Sequence, residues 1–308
     1  MAIEVGTEEA AHEPGAGPAV SVPPSERPPG LDALMPPEIA AKATDIGVSK
    51  ASMSFVRTFS LAVLAGAFIA LGAMFATTVI AGADGEIPFG ATRLLAGVVF
   101  CLGLILVVVA GAELFTGNNL IVMAWADRRI PVAWMLRNWV VVYLGNLVGA
   151  LGTVAIVYAG AQYQFGDGSV GSAALTIAQT KTSLGWGQAV ALGIMCNALV
   201  CLAIWLTYSA RSVTDKILAV IFPITAFVAA GFEHSVANMY FLAMGVLVKE
   251  AGSDGFFAEI GKSPADFPDV TWANAAIDNL LPVTIGNIIG GSLMVGLVYW
   301  LVYSRTRS

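Results

Sequence analysis

Two short segments carry the residues able to do chemistry. One reads Gly111-Ala112-Glu113-Leu114-Phe115-Thr116-Gly117-Asn118-Asn119, the other Gly231-Phe232-Glu233-His234-Ser235-Val236-Ala237-Asn238. Both interrupt long apolar runs. His234 is one of 2 histidines, and the other, His12, lies near the N-terminus. An imidazole in an apolar setting donates a hydrogen bond to an anion or exchanges a proton with it, since it titrates near neutral pH. The alternative is a buried neutral ring with a satisfied hydrogen bond; an interruption that occurs twice favours the functional role. Glu113 and Glu233 are costly among apolar neighbours and need partners. They are either solute ligands or acceptors for N–H groups freed where a helix stops. An anion path does not want two bare carboxylates, so the second role is favoured. Asn118 and Asn238 are the polar groups that accompany them. Thr116, Asn118 and Asn197 offer uncharged hydrogen bonds. Lys181 is either an ordinary loop charge or a cation that attracts an anion by Coulomb forces. Phe100, Leu104 and Phe227 either pack or constrict a path on both sides of a polar site.

The elements that must position these residues are membrane spans. The chain has 308 residues, 57% hydrophobic and 12% charged, with a mean hydropathy of +0.79. A soluble domain carries about 25% charge. Apolar runs fall at 55–82, 93–126, 132–161, 186–208, 213–248 and 279–303. The second and fifth are too long for one plain span of about 20 residues and hold the polar segments. Gly-x-Glu followed by Asn occurs at Gly111/Glu113/Asn118 and again 120 residues later, at Gly231/Glu233/Asn238. Asn138 stands seven residues before Gly145-Asn146-x-x-Gly149, and Asn279 stands seven before Gly286-Asn287-x-x-Gly290. The order predicts an all-α transmembrane fold of six spans in two three-span repeats. An odd number of spans per half inverts the second half. Spans 2 and 5 are broken, and the path lies where the breaks meet.

Six spans place both termini on one side. Lys42, Lys50, Arg57, Arg128, Arg129, Arg137, Arg211, Lys216, Arg305 and Arg307 fall on that side, against Arg93, Lys181, Lys249 and Lys262 on the other. The excess of cations predicts cytoplasmic termini and a location in the cell (inner or plasma) membrane. Residues 1–30 are Pro- and Gly-rich and read as a disordered cytoplasmic tail. A six-span domain covers 31–308, with a cytoplasmic helix before span 1 that starts at Pro36-Pro37-Glu38. Residues 249–278 read as an acidic outer loop. The net charge of −6 argues against nucleic acid. Cys101, Cys196 and Cys201 have no disulfide or zinc spacing, and no metal or cofactor is expected. Gly168-Ser169 is a weak serine nucleophile without a histidine in a second span, so the chain is not expected to be an enzyme. Asn-Pro-Ala boxes of a water channel and paired pore histidines of an ammonium transporter are absent from the sequence.

Gly111–Thr116 (GAELFT), Asn138–Ala150 (NWVVVYLGNLVGA), Ser209–Lys216 (SARSVTDK), Gly231–Met239 (GFEHSVANM) and Asn279–Gly291 (NLLPVTIGNIIGG) resemble the formate/nitrite transporter family, most closely its formate-channel branch. The resemblance runs from about Leu31 to Tyr303. It implies an aquaporin-like homopentamer in the lipid bilayer, with a pore in each protomer that passes formate, linked to protons through the central histidine. Nitrite, hydrosulfide or lactate are the alternatives within the family. The family's central histidine falls on His234, its loop threonine on Thr116, its lysine on Lys181 and its fourth-span asparagine on Asn197. Its constriction residues fall on Phe100, Leu104, Leu114, Phe115 and Phe227. Gly117-Asn118-Asn119 departs from the small hydroxyl residues that relatives often carry after the threonine.

Overall fold

The computed structural model describes residues 33–305, so the expected tail at 1–30 lies outside them. Among the described residues the chain is helical and contains no strand. Six helices are long and apolar enough to cross a membrane: Phe55–Ile80, Phe89–Gly111, Val132–Ala159, Trp186–Ser209, Val213–Ala230 and Trp272–Tyr303. Pro36 opens α1 (Pro36–Ser52) where its missing N–H costs nothing, and Glu38 bonds back to the Met35 N–H at 2.8 Å. Helix α2 is Phe55–Ile80 and α3 is Phe89–Leu106, continued by a π-turn over Val107–Gly111. Two short helices, α4 (Phe115–Asn118) and α5 (Val122–Ala126), precede α6 (Val132–Ala159). Then come α7 (Ser169–Thr182), α8 (Trp186–Ser209), α9 (Val213–Ala230), α10 (Ser235–Ala251) and α11 (Asp254–Glu259). The last span is built from α12 (Trp272–Asn274), α13 (Leu281–Ile288) and α14 (Val298–Tyr303), joined by π-helical turns.

Two features differ from the sequence reading. Lys181 lies in the last turn of helix α7, not in a loop. The acidic outer segment is shorter than 249–278: α10 runs to Ala251, and the last span starts at Trp272, where the Thr271 side chain caps the Asn274 N–H at 3.2 Å. Asp278 is therefore helical.

Where lipid surrounds the protein, helices gain little from apolar side chains and associate through close backbone approach at small residues. Helix α2 packs on α6 and α3, α3 on α9, and α8 on α13. A Cβ at Gly149 would overlap the Val63 carbonyl of α2, and one at Gly290 the Ile194 carbonyl of α8. Backbone cannot give way as a flexible side chain does. Gly149→Val and Gly290→Val are each expected to destabilise by at least the 1–3 kcal/mol typical of overpacking. Thermal unfolding in detergent checks this, and an unchanged midpoint would refute the close-approach account.

Candidate functional site

Gly111 and Gly231 have φ of +84° and +76°, a region closed to most side chains, and each ends a helix. The chain continues extended for three residues and re-enters a helix at Phe115 and at Ser235. Each interruption frees N–H groups that need partners away from water. Asn146 Oδ1 accepts from the Phe115 N–H at 2.9 Å, and its Nδ2 donates to Ala62 O and Glu113 O at 2.7 and 2.9 Å. Asn287 repeats the pattern: Oδ1 accepts from the Ser235 N–H at 2.9 Å, and Nδ2 donates to Gly193 O and Glu233 O at 2.8 and 2.9 Å. The freed N–H groups at the start of the re-entrant helices thus go to two asparagines from α6 and α13, rather than to the glutamates.

The glutamate carboxylates pair instead with lysine. Lys50 Nζ bonds Glu113 Oε1 at 2.8 Å and Asn118 Oδ1 at 2.8 Å. Asn118 Nδ2 donates to Glu113 Oε2 at 2.7 Å and to Asn138 Oδ1 at 2.9 Å, and Asn138 returns a bond to Lys50 O. The second node matches it. Lys181 Nζ bonds Glu233 Oε1 at 2.7 Å, Asn238 Nδ2 donates to Glu233 Oε2 at 2.6 Å and Asn279 Oδ1 at 2.7 Å, and Asn279 donates to Lys181 O. Two bonds differ. Asn279 Nδ2 also reaches Glu233 Oε2 at 3.2 Å, and Asn118 Oδ1 holds its lysine, whereas Asn238 Oδ1 is buried with no partner among the described residues. Lys181 Nζ stands 5.4 Å from the centre of the Phe241 ring instead.

Sequence reasoning missed Lys50 as part of a node and counted it only as a terminal-side charge. Its signal was spacing: Lys50 precedes Leu61 by eleven residues, as Lys181 precedes Leu192. The carbonyls of Leu61 and Leu192 accept from the Glu113 and Glu233 N–H groups. Asn119 was also missed; its Oδ1 accepts from Asn197 at 3.1 Å.

Between the nodes lies His234, 3% exposed. Its Nδ1 accepts from the Ala237 N–H at 2.9 Å, capping α10. A backbone N–H only donates, so Nδ1 is bare and the neutral ring carries its proton on Nε2. Nε2–H therefore donates to Thr116 Oγ1 at 2.9 Å. The threonine O–H is left free to donate in turn. Phe227 stacks on the imidazole at 5.8 Å, and Phe100 meets Phe227 edge-on at 5.6 Å. Asn197 Nδ2 donates to Thr116 O and Asn287 O at 3.2 and 2.7 Å, and its Oδ1 is buried without a partner among the described residues, as is Ser235 Oγ. Leu104 and Leu114 are buried. Phe115 is buried against Trp139 and Tyr143 of α6. The fold thus brings together Thr116, Asn197, Phe100, Phe227 and His234, and joins Lys181 to Glu233, the residue before His234. Cys101, Cys196 and Cys201 are buried free thiols. No group of three or more His, Cys, Asp or Glu side chains suited to a metal occurs among the described residues.

The family model described as formate/nitrite transporter matches residues 37–301. The formate channel FocA of Escherichia coli strain K12 is 45% identical over 89% of this chain and 96% of its own length. The FocA of Haemophilus influenzae is 41% identical over 86% and 93%. Among solved structures, a pentameric formate channel with formate bound matches with TM-score 0.76 at 43% identity, covering 81% of this chain and 97% of that one. An ion channel of the FNT family matches with TM-score 0.73 at 29% identity, over 86% and 98%.

Proposed function

The chain belongs to the formate/nitrite transporter family and is a multi-pass membrane protein, and we propose that it passes formate through a pore centred on His234 and Thr116. The observation that carries this reading is the His234–Thr116 hydrogen bond, buried between the two polar nodes and capped by Phe227. A carboxylate that displaces this bond finds two neighbouring donors, the imidazole Nε2–H and the threonine O–H. Support comes from the two relatives named as formate channels and from the solved relative described as having formate bound.

In this reading the paired nodes are the two breaks of an inverted-topology repeat, spans 2 and 5 are the broken spans, and the pore runs between them. Lys181 draws the anion toward the outer end, and Lys50 is its counterpart at the inner end. Phe100 and Phe227, with Leu104, Leu114 and Phe115, form the apolar constrictions. A bare formate ion crosses such a barrier only at a prohibitive desolvation cost. Proton transfer involving His234 therefore yields neutral formic acid, which loses its proton on the far side. In the resting geometry Nδ1 is occupied by the Ala237 N–H, so taking up a proton requires the ring to leave its cap. Asn197 Oδ1 and Ser235 Oγ, buried without partners among the described residues, are positions where a polar solute gains hydrogen bonds. The excess of lysine and arginine on the terminal side supports a cytoplasmic position for both termini and for α1. Five copies assemble, as the solved relative's description as pentameric suggests; a monomer by light scattering would refute this.

The test follows formate and nitrite uptake into liposomes while recording internal pH. Formate entry with stoichiometric internal acidification is expected. Electrogenic flow without proton movement would sink the neutral-acid route, and faster uptake of nitrite would replace formate as the preferred solute.

A further inference from the structure

Helix α3 holds the end of α9 at two places that lie seven residues, or two turns, apart on α3. At one, the Phe100 ring meets Phe227. At the other, the Arg93 guanidinium donates through Nε to Ala229 O at 3.2 Å and through Nη2 to Val228 O. These carbonyls belong to the last turn of α9, directly before Gly231, and a helix C-terminus has carbonyls with no intrahelical partner. Val228 O also accepts the Gly231 N–H at 3.1 Å, and Phe227 O the Phe232 N–H at 3.0 Å. Arg93 therefore grips the turn from which the chain departs toward Glu233 and His234. Nothing in the sequence motifs marked it; it stood among the outer cations.

The matching position in the repeat does not carry an arginine. At the repeat spacing of 120 residues, Arg93 corresponds to Val213, whose side chain has no donor, and His234 corresponds to Leu114. The guanidinium grips the turn that leads to the histidine, and valine stands at the position matching Arg93 for the turn that leads to leucine. A capping arginine needed only to hold the fold would serve both breaks alike.

We propose that Arg93 is a positioning residue for the solute path, fixing the last turn of α9 so that Phe227 and His234 keep their stacked geometry. The proposal rests on the reading of His234 as the pore centre. An arginine fork fixes two carbonyls at once, which a lysine ammonium on its flexible stem does not.

The experiment measures formate uptake into liposomes as a function of formate concentration, for wild type, His234→Ala, Arg93→Gln, Arg93→Lys and Gly231→Ala. Arg93→Gln is expected to lower maximal uptake at least about fivefold while the half-saturating concentration stays within about twofold. Arg93→Lys is expected to recover less than about half of the loss. Gly231→Ala, strained at its φ of +76°, is expected to reproduce the loss, and the Arg93→Gln/Gly231→Ala pair to add little further. Wild-type uptake by Arg93→Gln overturns the proposal. So does full recovery by Arg93→Lys, or a loss confined to half-saturation, because either assigns Arg93 a purely Coulombic role. If Arg93→Gln does not fold, Arg93→Lys and Gly231→Ala decide by the same criteria. A normal His234→Ala would undo the pore reading itself. An impaired His234→Ala beside a normal Arg93→Gln would undo this inference alone.

Discussion

His234→Ala is expected to take up formate on the order of 10–100-fold more slowly than wild type and to lose the pH dependence of uptake. The magnitude follows from the bond removed. A hydrogen bond to a charged group is worth about 1.5–3 kcal/mol, and the Nε2–H that now reaches Thr116 is the group offered to the anion. Alanine also removes the acceptor for the Ala237 N–H, a cap worth about 0.5–2 kcal/mol, so slow uptake alone would not separate pore from fold. His234→Asn separates them. A short amide accepts from the Ala237 N–H as N-cap residues do but cannot reach Thr116. Thermal stability returns with asparagine while uptake stays slow. Thr116→Val, which keeps the shape and deletes the hydroxyl, is expected to slow uptake and to cost about 1–3 kcal/mol of stability, because the buried Nε2–H loses its acceptor. Uptake by His234→Ala that still follows pH as wild type does would remove His234 from the proton-linked role.

Glu233→Ala is expected to be among the most destabilising single changes in the chain, by about 3–5 kcal/mol, the usual cost of stranding one partner of a buried ion pair. Lys181 Nζ would lose Glu233 Oε1, and Asn238 and Asn279 would lose an acceptor. Glu113→Ala is expected to cost less. The Lys50 side chain is 25% exposed against 14% for Lys181, so it reaches solvent more readily, and it keeps its bond to Asn118. Lys181→Met combined with Glu233→Leu is expected to regain most of the lost stability, since no charge is left buried, while formate uptake stays low because the anion has lost its outer cation. Denaturation midpoints in detergent decide the matter. Equal losses for Glu113→Ala and Glu233→Ala would show that burial of the lysine is not what sets the cost.

The six spans, their order and the doubled Gly-x-Glu/Asn pattern were legible along the chain, because apolar runs of bilayer length and polar residues within them stand out without any knowledge of contacts. His234 was legible for the same reason, as the one histidine inside an apolar run. The π-turns, the start of the last span at Trp272 and the helical setting of Lys181 were not, since they depend on caps and packing that the run of hydrophobicity does not encode. The lysine–glutamate pairs were hidden by distance in sequence: Lys50 lies 63 residues from Glu113 and Lys181 lies 52 from Glu233. Loops of unequal length make the spacing between halves 120 residues for the breaks but 131 for the lysines.

The sequence by itself therefore determined which residues are too polar to sit in lipid unpartnered. Only the tertiary structure decided who their partners are. Asn146 and Asn287 satisfy the freed backbone, so the carboxylates are left for lysine, and Thr116 is brought to the one ring nitrogen of His234 that carries a proton. Those choices are made by helices that approach closely at glycine, where a few tenths of an ångström of backbone position determine which donor reaches which acceptor.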